Sequence, residues 1–549
     1  MRLTALPQYK RDTARFLEIT GTLAKFGLAE HLERIEPDFL QRWLGHENIE
    51  EVARLGLGER VRLACEALGP TFVKLGQILS TRPDLIPLDV AQELERLQSR
   101  APADEPATAR RIIEEELGSP VEELFVNFHD EPLASASIGQ VHRAWLTDGR
   151  AVVVKVQHPG VEERVEVDFD ILEAIAGLLE RHDETARSLQ LTAVIVEARR
   201  SVLGELDFRR ELRHLTYFRR AFVDEPGLLL PEPIPERSAR RVLTMGFLEG
   251  RSVADSEHLE SSGLDRRALA LTGAHAFLDM VFRDGVFHAD PHPGNVMVLD
   301  DGRLALLDFG MVGRVDRETQ DDLLDLMLAF VQADEREILR IVRRIGSFPP
   351  EVDDAALRRD ILEFQGELST APISEIEVGA LLEAFTSTLR RHRIQLPPTV
   401  SMLVKLLIML EGTSRNLDPA FSLMEVLRPY CEKLVLRRAA PGERARRALE
   451  TGRDWTRLLG RLPGLLDDTA RRIERGQVKI DMVHTGLEAT VNRLVSGLLC
   501  AAMLLGGAML WALKAPPVIA GIPVVGVFAT LVALLHGIRL LWQVRQAGS

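Results

Sequence analysis

Cysteine is scarce in this chain: Cys65, Cys431 and Cys500 are the only three in 549 residues. Thiols so few and so scattered build neither a disulfide framework nor a cysteine-rich zinc site, which fits a reducing compartment. Positive charge is short as well. Lys and Arg number 68 against 82 Asp and Glu, a formal net charge of −14, and that balance excludes a nucleic-acid binder, whose phosphate contacts need a basic face. The start, Met1-Arg2-Leu3-Thr4-Ala5-Leu6-Pro7, lacks the apolar core of a secretory leader, so the bulk of the chain is expected in the cytosol. Long apolar runs are also missing before residue 494. The richest earlier stretch, 402–410, is too short to span a bilayer and reads as a core helix. A chain of this length exceeds one ordinary core and implies two or three domains.

What is present converges on residues 287–310. Phe287-His288-Ala289-Asp290-Pro291-His292-Pro293-Gly294-Asn295 fits H-x-D-x-x-x-x-N, and Asp308-Phe309-Gly310 follows thirteen residues after Asn295. Between them Asp300-Asp301-Gly302 turns a hairpin joining the apolar runs 296–299 and 304–307. These are the pieces with which a kinase-like site holds a nucleophile and metal-bound phosphates. Magnesium needs hard oxygen ligands, so Asp308 is expected to hold metal and Asn295 to offer its amide oxygen to a second ion. Asp290 is the candidate catalytic carboxylate, able to take a hydroxyl proton or orient a water. A turn cap or a strand end accounts for any one of these residues, but not for the whole set in this order.

Upstream, Ala134-Ser135-Ala136-Ser137-Ile138-Gly139-Gln140-Val141 aligns with the nucleotide loop G-x-G-x-x-G-x-V, alanines replacing two glycines. A turn at Thr147-Asp148-Gly149-Arg150 leads to Ala151-Val152-Val153-Val154-Lys155, where Lys155 is expected to reach the phosphates. A lysine ending a valine run needs an interior partner. The carboxylates on offer are Glu205, Asp207 and Glu211, within one helical pattern over 191–222; at least one of them pairs with Lys155. Lys74 and Gln77, three apart in an apolar run, share a helix face. Residues 12–68 carry apolar positions at helical spacing. Residues 228–234 and 241–247 read as small-lobe strands, 246–250 as the passage to a larger helical lobe, and Met245 as a wall of the cleft.

Taken together, K-x-G-Q at Lys74–Gln77, the Ala-rich loop, the strand lysine, E-x-D at Glu205–Asp207, H-x-D-x-x-x-x-N and D-F-G make the chain resemble the UbiB family of atypical, protein-kinase-like proteins. That resemblance runs from about Lys74 to the large lobe. It implies a two-lobed fold, ATP or ADP with Mg²⁺ as cofactors, and ATPase or small-molecule kinase activity in support of ubiquinone biosynthesis rather than ordinary protein phosphorylation. It further implies the pair Lys155–Glu211, and a regulatory set in which Lys74 and Gln77 lie against Glu205 and Asp207 so that their helix covers the peptide cleft. Two departures from ordinary protein kinases agree. His292 stands where a lysine is usual, and no A-P-E follows in residues 311–337.

The remainder is organised around charge and apolarity. Residues 320–436 are helical and complete the large lobe. Residues 441–493 are Arg-rich and amphipathic, suited to an anionic membrane surface. The runs 494–513 and 518–538 each have about the length needed to cross a bilayer, and Arg493, Arg539 and Arg545 at one end of the pair place both termini in the cytosol. The expected class is therefore α+β: a helical extension over 1–130, a small lobe with a helical insertion over 131–250, a large lobe over 251–440, the linker, and a transmembrane hairpin over 494–549. Expected partners are membrane lipids and polyprenyl-quinone precursors or the enzymes that process them, at the inner membrane with the catalytic domain cytoplasmic. A protein Ser/Thr kinase and a nucleotide-binding scaffold without turnover are the competing readings.

Overall fold

A computed structural model describes residues 13–28, 55–82, 85–97, 102–183, 186–187, 189–332, 334–349, 352–370, 377–439, 487–513, 516–519 and 522–546. The chain divides into two compact units, residues 1–440 and 441–549. In the first, two mixed layers follow one another. The strands Asn127–Phe128, Gly139–Trp145, Ala151–Gln157 and Val242–Gly246 form an antiparallel sheet in that order, with Ala134–Ser135 also paired to Gly139–Trp145. Period-two alternation decides its faces. Val152, Val154 and Val156 point into a core with Ile112, Ile113 and Phe125 from the helices Pro106–Leu117 and Val121–Leu124. Those helices thus pack with the small sheet.

The other side of the sheet is covered by the inserted helices Val161–His182 and Leu191–Glu205, where Phe169, Val165 and Val202 meet Ile138 and Leu243. The N-terminal helices Thr13–Lys25, Leu57–Leu68, Pro70–Ser80 and Leu88–Glu95 lie on that insertion. Phe72, Val73, Leu94 and Ile19 close on Ile171 and Ile175. Gly69 allows the sharp passage between two of these helices, because its φ of +92° lies in a region that L side chains avoid and Pro70 follows as first helical residue. A bidentate ion pair locks the seam: Arg15 donates from Nε and Nη2 to the two oxygens of Asp168 at 2.7 and 3.0 Å, and again from Nη2 to the Leu68 carbonyl at 2.8 Å.

Past Gly246 the strands Gly250–Ser252, Val296–Leu299 and Leu304–Leu306 make a second antiparallel ladder, with the Asp300–Gly302 turn where the spacing placed it. Helices from Arg266 to Ala439 surround it, and the core helix expected over 402–410 is the middle of Pro398–Leu417, with Leu403, Leu406 and Leu410 buried.

Two local expectations are corrected. Residues 191–222 are two helices, Leu191–Glu205 and Phe208–Ala221, because the Asp207 carboxylate accepts from the Arg209 N–H and starts a new helix instead of continuing the old one. Leu228–Leu229 is not a strand of the small sheet. It runs parallel to Leu304–Leu306 in the second one, since a short apolar run does not say which sheet it joins.

The second unit holds the helices Leu487–Ala512 and Val524–Gln546, which pack on one another with the Cys500 thiol donating to the Ala533 carbonyl at 2.9 Å. Among the described residues no helix is long and apolar enough to cross a membrane. The expectation of two crossings gives way to a smaller statement, a packed apolar hairpin that leaves Leu498, Leu505, Leu513, Phe528 and Leu535 exposed. The reading of 441–493 as an amphipathic linker lies, up to residue 486, outside the described residues.

Because Asp168 is 0% exposed, Arg15→Met leaves a buried carboxylate without its counter-charge and is expected to destabilise the first unit by about 3–5 kcal/mol. The double variant Arg15→Met/Asp168→Leu should recover most of that loss. Urea midpoints of parent, single and double variants check it; a double variant as unstable as the single one would contradict the burial argument.

Candidate active site

Lys155 is held by its strand. Ala151–Gln157 is paired on both edges, so the register that buries the valines also fixes where the lysine leaves the sheet. Its Nζ donates to Glu211 Oε2 at 2.9 Å, lies 3.6 Å from Asp308 Oδ2, and sits 5.2 Å from the Phe208 ring centroid. Glu211 is in the first turn of the helix that Asp207 caps, where the helix dipole favours a carboxylate.

Electrostatics separate the two carboxylates. Burial would lower the Lys155 pKa, but Asp308 and Glu211 outweigh it and hold the ammonium charged above the ordinary lysine range. Asp308 is likewise pulled well below the carboxylate range: Lys155 and Lys74 overcome the cost of its burial. Burial pushes Glu211 up to about 7 against the pull of Lys155. Asp308 is therefore the firmly ionised partner, and its side chain is 50% exposed to the cleft.

The catalytic loop reaches the same place through a two-stranded ladder, Val286–His288 against Val312–Arg314. Buried His288 accepts the Asp290 N–H at Nδ1 (3.2 Å) and donates from Nε2 to the Leu307 carbonyl (3.0 Å), so the ring is a neutral strut with one tautomer. Phe309 packs on it with centroids 5.3 Å apart and on Phe218 at 5.3 Å, while His214 donates to the Phe309 carbonyl at 3.0 Å. The Phe208–Ala221 helix is thereby tied to Asp308-Phe309-Gly310. Asp308 itself has φ of 49°, uncommon outside glycine, and its Oδ1 accepts the Gly310 N–H at 3.0 Å. Asn295 donates from Nδ2 to the Asp290 carbonyl at 3.1 Å, which leaves its amide oxygen as the group to offer a ligand.

One cavity of about 230 Å³ is lined by Lys74, Gln77, Ala136, Ser137, Ile138, Gly139, Lys155, Glu205, Glu211, Asp290, Asn295 and Asp308. Lys74 Nζ is 2.6 Å from Glu205 Oε2, while Gln77 donates to the Leu97 carbonyl at 3.2 Å. Other expected positions lie elsewhere. Asp207 does not meet Lys74; it is spent as the helix cap and on the Arg209 guanidinium. Ala134, Ser135, Gln140 and Val141 do not line the cavity, and neither does Met245. Ser135 donates to the Pro102 carbonyl, Gln140 Oε1 accepts the Asp104 N–H, and Ala134 and Val141 pair across the sheet. Gly139 is required for a different reason from the one its alignment suggests: a Cβ there would meet the Val156 carbonyl oxygen at 2.3 Å.

Sequence reasoning missed Phe208 and Met311, which also line the cavity, and a clamp on the Ala-rich loop. His158 sits with Nδ1 2.6 Å from Asp104 Oδ2 and Nε2 2.8 Å from the Ala136 carbonyl. Its signal was a histidine three residues after the strand lysine; its partner, fifty-four residues upstream, had none.

The residues present suit magnesium and a nucleotide. Among the described residues no three or more His, Cys, Asp or Glu side chains form a cage for a metal, and magnesium at phosphates asks for fewer, one or two protein oxygens with the phosphates supplying others. Asp308 and Asn295 are two of the oxygen-bearing side chains that line the cavity, and Lys155 and Lys74 are cations in the same lining.

Comparison with known proteins gives three matches in chain order. Residues 96–342 match the ABC1 atypical kinase-like domain, 361–422 the UbiB helical domain, and 478–546 the ABC1/UbiB kinase-like C-terminal domain. The chain is similar to the probable protein kinase UbiB of Marinobacter nauticus, 36% identical over 424 residues, covering 76% of this chain and 78% of that protein. It is 37% identical over 437 residues to the probable protein kinase UbiB of Aeromonas hydrophila, covering 78% and 80%. A solved complex of Rv3197 with erythromycin from Mycobacterium tuberculosis shares 27% identity over 64% of this chain and 90% of that one, with a TM-score of 0.43.

Asp308→Asn removes the charge that a divalent ion would need. Nucleotide affinity measured by calorimetry with Mg²⁺ should fall about tenfold or more, while affinity measured in EDTA stays near the parent. Equal affinities in Mg²⁺ would sink the metal assignment.

Proposed function

We propose that this chain, which belongs to the UbiB family of ABC1 atypical kinase-like proteins, is a membrane-associated ATPase or small-molecule phosphotransferase serving polyprenyl-quinone intermediates of ubiquinone synthesis. The observation that carries the nucleotide half is the convergence of Lys155, Asp290, Asn295 and Asp308 on one cavity. Lys155 would hold the α- and β-phosphates of ATP, and Asp308 with Asn295 would hold Mg²⁺. The bound ion supplies neutralisation of the charge that develops as the phosphoryl group moves. Asp290, whose backbone is held by His288 and Asn295, would take a proton from an acceptor hydroxyl or orient a water.

The acceptor is read as small because the Pro70–Ser80 helix brings Lys74 and Gln77 to the same cavity as the catalytic residues. An extended peptide would have to displace that helix and its Lys74–Glu205 pair. Membrane association is supported by the hairpin's exposed apolar side chains, among them Leu498, Leu505, Trp511, Phe528 and Leu535. Contiguous exposure of this kind marks a surface meant to be covered, and the headgroup–acyl boundary of a bilayer covers it without requiring a crossing. The first unit would then work at the cytoplasmic face of the inner membrane, next to the apolar molecules it serves.

In anionic liposomes the purified chain should turn over ATP in a Mg²⁺-dependent way, faster with prenylated phenols than with peptide libraries. Asp290→Asn should reduce turnover on the order of a hundredfold. Transfer to peptides at ordinary kinase rates would favour a protein kinase; nucleotide binding with no turnover under any of these conditions would favour a scaffold. Removing residues 494–549 should release the protein from vesicles in a flotation assay while nucleotide binding by the first unit persists. Retention on vesicles in high salt after that truncation would place the membrane contact elsewhere.

A further inference from the structure

The loop over the cavity is held from outside it. Ala136, Ser137, Ile138 and Gly139 line the cavity, and the Ala136 N–H donates to the Gly139 carbonyl at 2.9 Å, which closes the four into a turn. Two carbonyls of that turn end on one residue. His158 donates from its backbone N–H to the Ile138 carbonyl at 2.9 Å and from Nε2 to the Ala136 carbonyl at 2.8 Å, although His158 itself does not line the cavity. Carbonyls engaged in this way do not turn their negative ends on a phosphate, which binds to N–H groups of such a loop.

The other ring nitrogen ties the turn to a second element. Nδ1 lies 2.6 Å from Asp104 Oδ2. A carboxylate and a carbonyl both accept, so the bridge uses a proton on each ring nitrogen. Asp104 stands just before the Pro106–Leu117 helix, and its own N–H donates to Gln140 Oε1 at 2.8 Å, while the Ser135 hydroxyl donates to the Pro102 carbonyl at 3.4 Å. That helix packs Ile112 and Ile113 with Val152, Val154 and Val156 of the strand that carries Lys155. The turn is thus fastened at both flanks to a segment based on the Lys155 strand.

His158 also follows directly on that strand, Ala151–Gln157, whose Gln157 stands opposite Gly139. One residue therefore sets the turn against the element from which Lys155 leaves. With 12% and 22% of the two side chains exposed, the His158–Asp104 contact is not a solvent-screened surface pair.

We propose that His158 and Asp104 are positioning residues for nucleotide binding: they hold the 136–139 turn in place relative to Lys155, so that phosphates enter a preformed slot between the two. This rests on the reading above that Lys155 holds the phosphates. Neither side chain touches the ligand. A turn released from the clamp has to be ordered at the moment of binding, and that penalty falls on the phosphates rather than on the nucleoside.

The test compares the affinities of the full-length protein for MgADP and for adenosine, both by displacement of a fluorescent nucleotide, in His158→Leu, Asp104→Ala, the double variant and Lys155→Met, with thermal midpoints alongside. Each single clamp variant should weaken MgADP by about tenfold and adenosine by less than about twofold. The double variant should bind MgADP no more weakly than the singles, because either substitution already opens the bridge. A selective loss for the phosphate-bearing ligand is a readout that a merely structural role would not give. If His158→Leu does not fold, Asp104→Ala reaches the same bridge from its other end and is decided by the same two affinities. Parental MgADP affinity in the single variants, equal losses for adenosine and MgADP, or losses that multiply in the double variant would overturn the proposal. Loss of MgADP in Lys155→Met with parental binding in the clamp variants would overturn the clamp alone; parental MgADP binding in Lys155→Met would overturn the reading beneath it as well.

Discussion

The ion pair of Lys155 with Glu211 and Asp308 is the interaction on which the rest of the centre depends. It joins three elements that local structure cannot join: a strand of the small sheet, the first turn of a capped helix, and the segment after the second ladder. A buried ammonium is tolerable only with such partners, so the strand register, the Asp207 cap and the left-handed turn at Asp308 all serve one constraint. The division of labour follows from the number of cations each carboxylate meets. Glu211 is enclosed and pushed toward neutrality, whereas Asp308 is open to the cleft and firmly ionised by two lysines, which makes Asp308 the group able to serve a divalent cation.

A second constraint comes from the N-terminal helices. They are fastened to the inserted helices by an apolar seam and by Arg15–Asp168, and from that base the Pro70–Ser80 helix sends Lys74 to Glu205 in the cleft and Ser80 to Lys405 beneath it. The extension is thus part of the site. Lys74 adds to the positive field around Asp308, while its partner Glu205 keeps that field from being unbalanced in the absence of phosphates. Side chains of the extension, Lys74 and Gln77, line the same cavity as Lys155, Asp290 and Asp308.

Much of this was legible in the residues. Sharp turns such as Asp148-Gly149 and Asp300-Asp301-Gly302 mark hairpins because their backbone geometry is chemically restricted, and both hairpins form. The spacing from His288 to Gly310 singled out Asp290, Asn295 and Asp308, which line one cavity, for a similar reason, since short-range geometry fixes those intervals. The break at Asp207 was hidden because helical periodicity continues through it; only an N-cap hydrogen bond distinguishes one long helix from two. Gly139 was read as a phosphate-loop glycine, but close approach of two strands, which no single segment encodes, is what forbids a side chain there.

The sequence by itself determined the chemical inventory and its local geometry: a strand lysine, helix carboxylates, a metal-type aspartate and amide, and an apolar tail. Tertiary structure alone decided which of them meet. Glu205 rather than Asp207 faces Lys74, His158 clamps Ala136 to Asp104, and Lys405, an unremarked residue of a core helix, meets Ser80 at the end of the Pro70–Ser80 helix. The physical reason is range. Hydrogen-bonded turns, caps and alternation act over a few residues and leave their mark in spacing, whereas Coulomb pairing and burial act between residues far apart in the chain, whose partners are chosen only when the helices and sheets have packed.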